Sequence, residues 1–187
     1  MGQVSRVLIA GAGVGGLSSA LALAKQGIKV IVCEQASSLG EVGAGLQISP
    51  NAMKVLRKLG LESRLRPFVF VPQHATIRDF KTGDYYLKVP LGEHASSRYS
   101  APYWHLHRAD LHRVLAQACL EAGVELLLDA TVTHYAKNTE LNQVNLFLND
   151  GRTLSADLLI GADGIRSKIR EQMLGPERPT FMGQVAW

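Results

Sequence analysis

The sequence has little of several features that would place a protein in a specialised class. It contains only two cysteines in 187 residues, Cys33 and Cys119. So few cysteines speak against a disulfide-stabilised secreted domain, and both are predicted to be small buried side chains in a reducing, cytoplasmic compartment. No stretch reaches 18 uninterrupted apolar residues, so no membrane span is predicted.

Charge and metal-binding patterns are equally sparse. Basic residues outnumber acidic ones by only 20 to 16, with no basic block or aromatic-interleaved stripe, so nucleic acid is not an expected partner. His105 and His107 alternate on a predicted strand, but no third ligand follows at a recognised spacing, so no metal site is predicted. An apolar fraction of 47% is that of a globular chain able to bury a core.

A glycine-rich loop, Gly-Ala-Gly-Val-Gly-Gly at residues 11–16, lies between a β-branched strand and a Leu/Ala-rich helix over 17–26. Gly11 permits a sharp turn, Gly13 lets phosphate oxygens approach the backbone, and Gly16 lets helix and strand pack closely. The helix N-terminus adds N–H donors and a positive dipole end. The loop is therefore predicted to hold a nucleotide pyrophosphate.

A second predicted strand, residues 28–33, ends at Glu34, which lies 23 residues after Gly11. An acid near this spacing accepts hydrogen bonds from a ribose hydroxyl. A carboxylate also disfavours a 2′-phosphate, because two anions would meet. FAD or NAD is therefore expected here rather than NADP.

The rest of the chain alternates between helix and strand patterns. A helix is predicted to begin at Ser49-Pro50 and end at Gly60, with Ala52, Val55, Leu56 and Leu59 as its apolar face. A β-rich stretch over about 67–100 is predicted to enter a second sheet. A strand at 103–107 and an amphipathic helix ending at Gly123 follow. A strand at 124–128, an antiparallel meander turning at Asp150-Gly151 and a fully buried strand at 158–161 complete the pattern.

The last predicted strand leads into a second anion-binding pattern. Asp163 and Gly164 follow the strand, and Ser167 is predicted to cap a helix. Asp163 could accept from a hydroxyl while Arg166 and Arg170 balance phosphates. A capped helix with a solvated basic face explains the same residues equally well.

These motifs together resemble the flavoprotein aromatic hydroxylases, single-component FAD-dependent monooxygenases of the salicylate hydroxylase kind. Gly11, Gly13, Gly16 and Glu34 are similar to the FAD fingerprint, and 163–170 to the motif serving both FAD and the nicotinamide cofactor. Residues 41–51 resemble the segment beside the flavin ring, and 107–111 the segment whose arginine contacts the cofactor. Gln47 could face the flavin or bond backbone, and Arg108 could pair with a carboxylate instead. The resemblance implies cofactor contacts from Gly11, Gly13, Val14, Gly15, Gly16, Glu34, Gln35, Gln47, Arg108, Val132, Asp163 and Gly164.

The resemblance also implies a fold and a reaction. The expected fold is α/β: a Rossmann-like FAD/NAD(P)-binding domain (1–66 and 101–178) with a small meander, and part of a substrate-binding sheet (67–100 and 179–187). NAD(P)H would reduce FAD, and reduced flavin with O₂ would give a flavin hydroperoxide that hydroxylates an aromatic, hydroxybenzoate-like substrate. Catalytic residues are not assigned. A homo-oligomer is a further expectation.

The family pattern continues beyond residue 187, so an N-terminal fragment lacking most of the substrate pocket is expected. Two other functional classes stay open at this stage. One is a different two-dinucleotide oxidoreductase, such as an FAD amine oxidase or an NAD dehydrogenase. The other is a fragment that keeps the fold without turnover.

Overall fold

A computed structural model describes residues 4–40, 44–177 and 179–183. It divides into two compact units, one formed by Met1–Leu39 with Ala116–Trp187 and the other by Gly40–Leu115. We call them the nucleotide unit and the inserted unit. These units are defined by contacts within this chain, and the assignment of 67–100 and 179–187 to a substrate-binding sheet stays a prediction.

The described residues form eleven strands and six helices. The strands are β1 (Arg6–Ala10), β2 (Lys29–Cys33), β3 (Gly45–Ile48), β4 (His74–Arg78), β5 (Tyr85–Pro90), β6 (Trp104–His107), β7 (Glu125–Leu127), β8 (Val132–Asn138), β9 (Gln143–Leu148), β10 (Thr153–Ala156) and β11 (Leu158–Gly161). The helices are α1 (Val14–Ala24), α2 (Pro50–Lys58), α3 (Glu62–Leu65), α4 (Gly92–Tyr99), α5 (Arg108–Glu121) and α6 (Lys168–Leu174).

The nucleotide unit is built on a four-stranded parallel sheet in the order β11-β1-β2-β7. β1 lies inside this sheet, and its residues Val7, Leu8, Ile9 and Ala10 are fully buried, as an apolar run between two neighbouring strands requires. The predicted α/β fold with a parallel sheet is confirmed. The prediction that β11 is fully buried is wrong, because in the described sheet β11 is flanked by β1 alone and Leu158 is 44% exposed.

The predicted meander is confirmed as the antiparallel sheet β10-β9-β8. Gly151 takes the left-handed conformation, with φ of +87°, in the turn between β9 and β10. Leu146 is fully buried in a cluster with Leu8 and Ile169, so the meander shares a core with the parallel sheet and α6. The side-chain amide of Gln172 bonds both the N–H and the carbonyl of Tyr135, which fastens α6 to β8.

The inserted unit contains two separate two-stranded antiparallel sheets, β3-β6 and β4-β5. α2 begins after Ser49 and its chain reverses at Gly60 (φ +78°), as predicted. Its predicted apolar face is partly wrong, because Met53 is buried whereas Val55 is 54% exposed. Leu56 and Leu59 are buried as predicted, and Met53 rather than Val55 completes the face, at i, i+3 spacing.

The predicted excursion over about 67–100 forms the β4-β5 ribbon, and every residue of both strands is exposed. Its last part is the helix α4, which was not predicted. α5 begins in the inserted unit and ends in the nucleotide unit; the predicted apolar face of Leu111, Val114, Leu115 and Ala118 is buried. Among the described helices, none combines the length and the apolar character that crossing a membrane would require.

Candidate functional site

Three loops of the nucleotide unit meet at the carboxyl edge of its parallel sheet. Ala10, the last residue of β1, is in register with Cys33 on β2 and with Gly161 on β11. The N–H of Gly11 donates to the carbonyl of Cys33 (2.7 Å), and the N–H of Ala162 donates to that of Ala10 (2.8 Å). Parallel α/β sheets bind ligands at this edge, where neighbouring strands lead away in opposite directions. The glycine loop, Glu34 and the Asp163 loop are thereby brought together.

Two glycines of the first loop are required by its own packing. Gly11 has φ of +99°, and a Cβ there would lie 2.4 Å from the carbonyl oxygen of Ala162. A Cβ on Gly16 would lie 1.9 Å from the carbonyl oxygen of Gly11. Both distances are far inside van der Waals contact, so only glycine lets this loop close against the start of α1 and against the Asp163 loop.

The next feature of this loop is the open space in front of it. Nothing lies within 4 Å of a Cβ built on Gly13 or on Gly15. No side chain caps the N-terminus of α1, whose first turn contains Val14 and Gly15 and no acidic residue. An open backbone cradle at an uncapped helix N-terminus suits a phosphate group, so these residues fit the pyrophosphate of a dinucleotide.

Glu34 is tied to the glycine loop directly. One carboxylate oxygen accepts from the N–H of Ala12 (2.8 Å) and the other from the N–H of Ala36 (3.0 Å). Each carboxylate oxygen has a second acceptor site, so Glu34 can bind the loop and ribose hydroxyls at once. The side chain of Gln35 is exposed beside it.

Sequence reasoning missed a turn that supports Glu34. The N–H of Ala130 donates to the carbonyl of Glu34 (2.8 Å), and the N–H of Asp129 donates to that of Ala36 (3.1 Å). Asp129 takes a left-handed conformation, with φ of +49°. This turn leads into Val132, the half-buried first residue of β8. Aspartate adopts positive φ more often than most residues, but a single aspartate is too weak a signal to identify this turn from the sequence.

The Asp163 loop is satisfied by its own side chains. The Asp163 carboxylate accepts from the Ser167 hydroxyl (2.5 Å) and from the N–H groups of Lys168 (2.7 Å) and Ile169 (3.2 Å). Ser167 in turn accepts from the N–H of Arg170 (2.9 Å), as predicted for a helix cap. Asp163 therefore organises the start of α6 in this structure.

One of the two arginines that follow Asp163 also binds its own loop. The Arg170 guanidinium donates to the carbonyls of Gly164 (3.3 Å) and Ile165 (2.6 Å), whereas Arg166 is exposed. Gly164 sits in the turn with φ of +77°. The capped-helix explanation thus describes what these side chains do, and their contact with a cofactor stays a prediction.

The remaining predicted contacts, Gln47 and Arg108, lie in the inserted unit. β3 pairs with β6 so that Gly45 is in register with His107, which places the 44–51 and 107–111 segments side by side. Gln47 is exposed and its Oε1 accepts from the Tyr103 hydroxyl (2.8 Å), and its contact with the flavin stays a prediction. Arg108 is exposed at the first position of α5. Residues 41–43 of the predicted flavin-side segment lie outside the described residues.

The remaining titratable candidates are the two histidines considered as metal ligands and the two cysteines. Within the described residues, no group of three or more His, Cys, Asp or Glu side chains is placed to hold a metal ion. Cys33 and Cys119 are buried and unpaired, and burial raises the pKa of each thiol to about 11. Both thiols therefore stay protonated at neutral pH, as expected for small core side chains.

Several known proteins are similar to this chain in sequence and in fold. The family model described as FAD binding domain matches residues 4–187. The chain is 38% identical to 6-hydroxynicotinate 3-monooxygenase of Pseudomonas fluorescens, over 100% of this chain and 47% of the relative. It is 37% identical to 3-hydroxybenzoate 6-hydroxylase 1 of Aquipseudomonas alcaligenes, over 98% and 46%. The chain thus spans a little under half the length of these curated relatives.

Solved structures of two other proteins have a similar fold over most of this chain. A tetrameric form of 2-methyl-3-hydroxypyridine-5-carboxylic acid oxygenase superposes with a TM-score of 0.78 and 27% identity, over 92% of this chain and 43% of that one. Klebsiella pneumoniae HpxO, complexed with FAD and uric acid, superposes with a TM-score of 0.78 and 28% identity, over 90% and 41%. The resemblance to flavoprotein aromatic hydroxylases is confirmed, and because the family model spans nearly the whole sequence, the chain belongs to the FAD binding domain family.

Proposed function

We propose that this chain is the FAD-binding portion of an NAD(P)H-dependent monooxygenase that hydroxylates a small aromatic acid. The observation that carries the proposal is the open backbone cradle at Gly13 and the uncapped N-terminus of α1, beside a carboxylate at the end of the next strand. The named relatives act on hydroxynicotinate and hydroxybenzoate, which supports an aromatic hydroxyacid as the substrate class.

Each part of the nucleotide unit has a distinct task in this proposal. The pyrophosphate accepts hydrogen bonds from the backbone at 13–16, where the helix dipole favours negative charge. Glu34 accepts from the adenosine ribose hydroxyls and, through Ala12, fixes the loop that holds the phosphates. Gln35 and Val132 flank that end of the cofactor. The Asp163 and Gly164 loop closes the site by packing its backbone against Gly11.

The inserted unit is proposed to supply Gln47 and Arg108 to the flavin end of the cofactor. Arg108 lies at the exposed first position of α5, in the segment that resembles the one whose arginine contacts the cofactor. When bound, the flavin carries electrons from the nicotinamide to O₂ and so permits oxygen insertion into an aromatic ring. The protein's part is to bind, orient and keep water away.

The proposal is tested by purifying the chain and recording its visible absorbance. Flavin bands, with one FAD released per chain on denaturation, are the expected result. A chain that neither retains nor rebinds FAD would overturn the proposal. Oxidation of NADH or NADPH that is stimulated by a hydroxybenzoate or hydroxynicotinate, measured on a full-length protein carrying this chain, would assign the monooxygenase reaction. FAD binding without such stimulation would favour a different flavin oxidoreductase.

A further inference from the structure

The inserted unit contains a cleft that the proposed cofactor site does not use. It has a volume of about 490 Å³ and is lined by Arg57, Gly60, Glu62, Ser63, Arg66 and Trp104. Three consecutive segments, α2, α3 and the 3-10 turn at Arg66–Phe68, form its rim, and β6 contributes the tryptophan. This volume is in the range of sites that bind small organic molecules.

Trp104 gives this cleft a polar group without a partner. The side chain is only 1% exposed, and its indole N–H has no acceptor among the described residues. A buried donor left unpaired destabilises a fold, so such groups are rare in native proteins. An acceptor supplied by a ligand would remove this cost.

The two arginines that line the cleft have different partners. The Arg57 guanidinium forms a two-pronged ion pair with Glu62 and donates to the carbonyl of Ser100 (3.0 Å). Arg66 lies over the Trp104 ring, with its guanidinium carbon 5.7 Å from the ring centre. Its charge is attracted by the Glu62 carboxylate and helps to lower the pKa of that group, but no ion pair within 4 Å joins Arg66 to a described residue. The cation available to a ligand is therefore Arg66.

We propose that this cleft binds a small planar organic carboxylate. A guanidinium matches a carboxylate through two parallel hydrogen bonds, and the indole N–H supplies a third donor after a small movement of the cleft wall. A flat ring also packs well against an aromatic wall. The Glu62 carboxylate at the rim opposes a doubly charged phosphate more strongly than a singly charged carboxylate, which favours the carboxylate as the occupant.

The indole N–H resonance of Trp104 provides the direct test. Trp187→Phe removes the only other tryptophan in the sequence, so a single indole signal remains in an NMR spectrum. Titration with benzoate is expected to move this signal downfield and to saturate, because the N–H gains an acceptor. Benzamide, which has a similar shape without the charge, is expected to bind at least about tenfold more weakly.

Substitutions of Arg66 test whether its guanidinium binds the carboxylate. Arg66→Gln in the same background is expected to weaken benzoate binding by at least about tenfold, and Arg66→Lys to restore only part of it. Arg98→Gln, on the exposed face of α4, is the matched control and should leave binding unchanged. Circular dichroism verifies that each variant is folded.

Three results would overturn the proposal. The first is an indole signal that does not respond to benzoate. The second is equal binding of benzoate and benzamide, since it would remove the role of charge. The third is inorganic phosphate binding as tightly as benzoate, since it would assign the cleft to phosphate groups. None of these outcomes depends on FAD, so the proposed function stands or falls separately.

Discussion

The nucleotide unit contains two strand–loop–helix segments, β1 with α1 and β11 with α6. They differ in whether side chains cap the N-terminus of the helix. The loop before α1 offers no side chain as a cap and leaves open space at Gly13 and Gly15. The loop before α6 is capped by Asp163 and Ser167. The first helix end can receive an anion from outside, whereas the second has already satisfied its donors internally.

The two loops nevertheless depend on each other. Gly11 packs so closely on Ala162 and Asp163 that a single methyl group would separate them. The capped loop thus acts as a rigid wall for the open one. Two similar sequence patterns at one sheet edge therefore differ in structure: one leaves open space at a helix N-terminus, and the other is capped by its own side chains.

The largest effect is expected on folding stability, from adding a methyl group at Gly16. Gly16→Ala places a methyl group 1.9 Å from the Gly11 carbonyl oxygen, so it should destabilise the fold by about 3 kcal/mol or more. Gly15→Ala, one residue away with nothing within 4 Å, should change stability by less than about 1 kcal/mol. Urea unfolding of both variants measures the difference. Similar losses would contradict the packing described for Gly16.

The next effect concerns binding rather than stability. Gly13→Val fills the open cradle, so FAD affinity should fall by at least about 100-fold while the unfolding midpoint changes little, since a Cβ there has no described protein atom within 4 Å. Gly40→Val, at another open glycine without positive φ, is the matched control. Fluorescence titration with FAD measures affinity. Unchanged binding in the Gly13 variant would move the pyrophosphate elsewhere.

A moderate effect is expected at the capped loop. Asp163→Ala removes the acceptor for Ser167 and two N–H groups of α6, so stability should fall by about 1–2 kcal/mol. Asp163→Asn keeps one carbonyl oxygen and should lose less. If FAD affinity collapsed while the unfolding free energy stayed at its original value, Asp163 would be a direct ligand, and the contrast between the two loops would disappear.

The smallest effect is expected at the opposite edge of the sheet. Hydrogen bonds from the N–H groups of Ser5 and Arg6 lower the pKa of Asp157. A lowered folded-state pKa means that the stabilisation is present above the unfolded-state pKa and is lost as pH falls through the folded one. Asp157→Asn should therefore reduce stability slightly at neutral pH and flatten its decline below about pH 4. FAD affinity should not change, because this end of the sheet is remote from the loops; a change in affinity would contradict that separation.

Much of the nucleotide unit could be predicted from local patterns. Gly11, Gly16 and Glu34 carry strong signals because a turn, a close packing and a strand end each restrict the residue type. Ser167 was identifiable as a cap for the same reason. The buried face of α2 was not, since Val55 and Met53 are both apolar and only the neighbouring elements decide which one is covered. The exposure of Leu158 likewise depends on how many strands flank β11.

By itself, the sequence determined the order of strands and helices in the nucleotide unit, the position of the open glycine loop and the carboxylate paired with it. These follow from backbone sterics and short-range spacing, which operate within a few residues. Only the tertiary structure decided that Asp163 binds its own helix, that Ala130 supports Glu34, and that the indole N–H of Trp104 is buried without an acceptor among the described residues. Those outcomes depend on which atoms from distant parts of the chain come within hydrogen-bonding distance, and only the packed sheet and helices fix that.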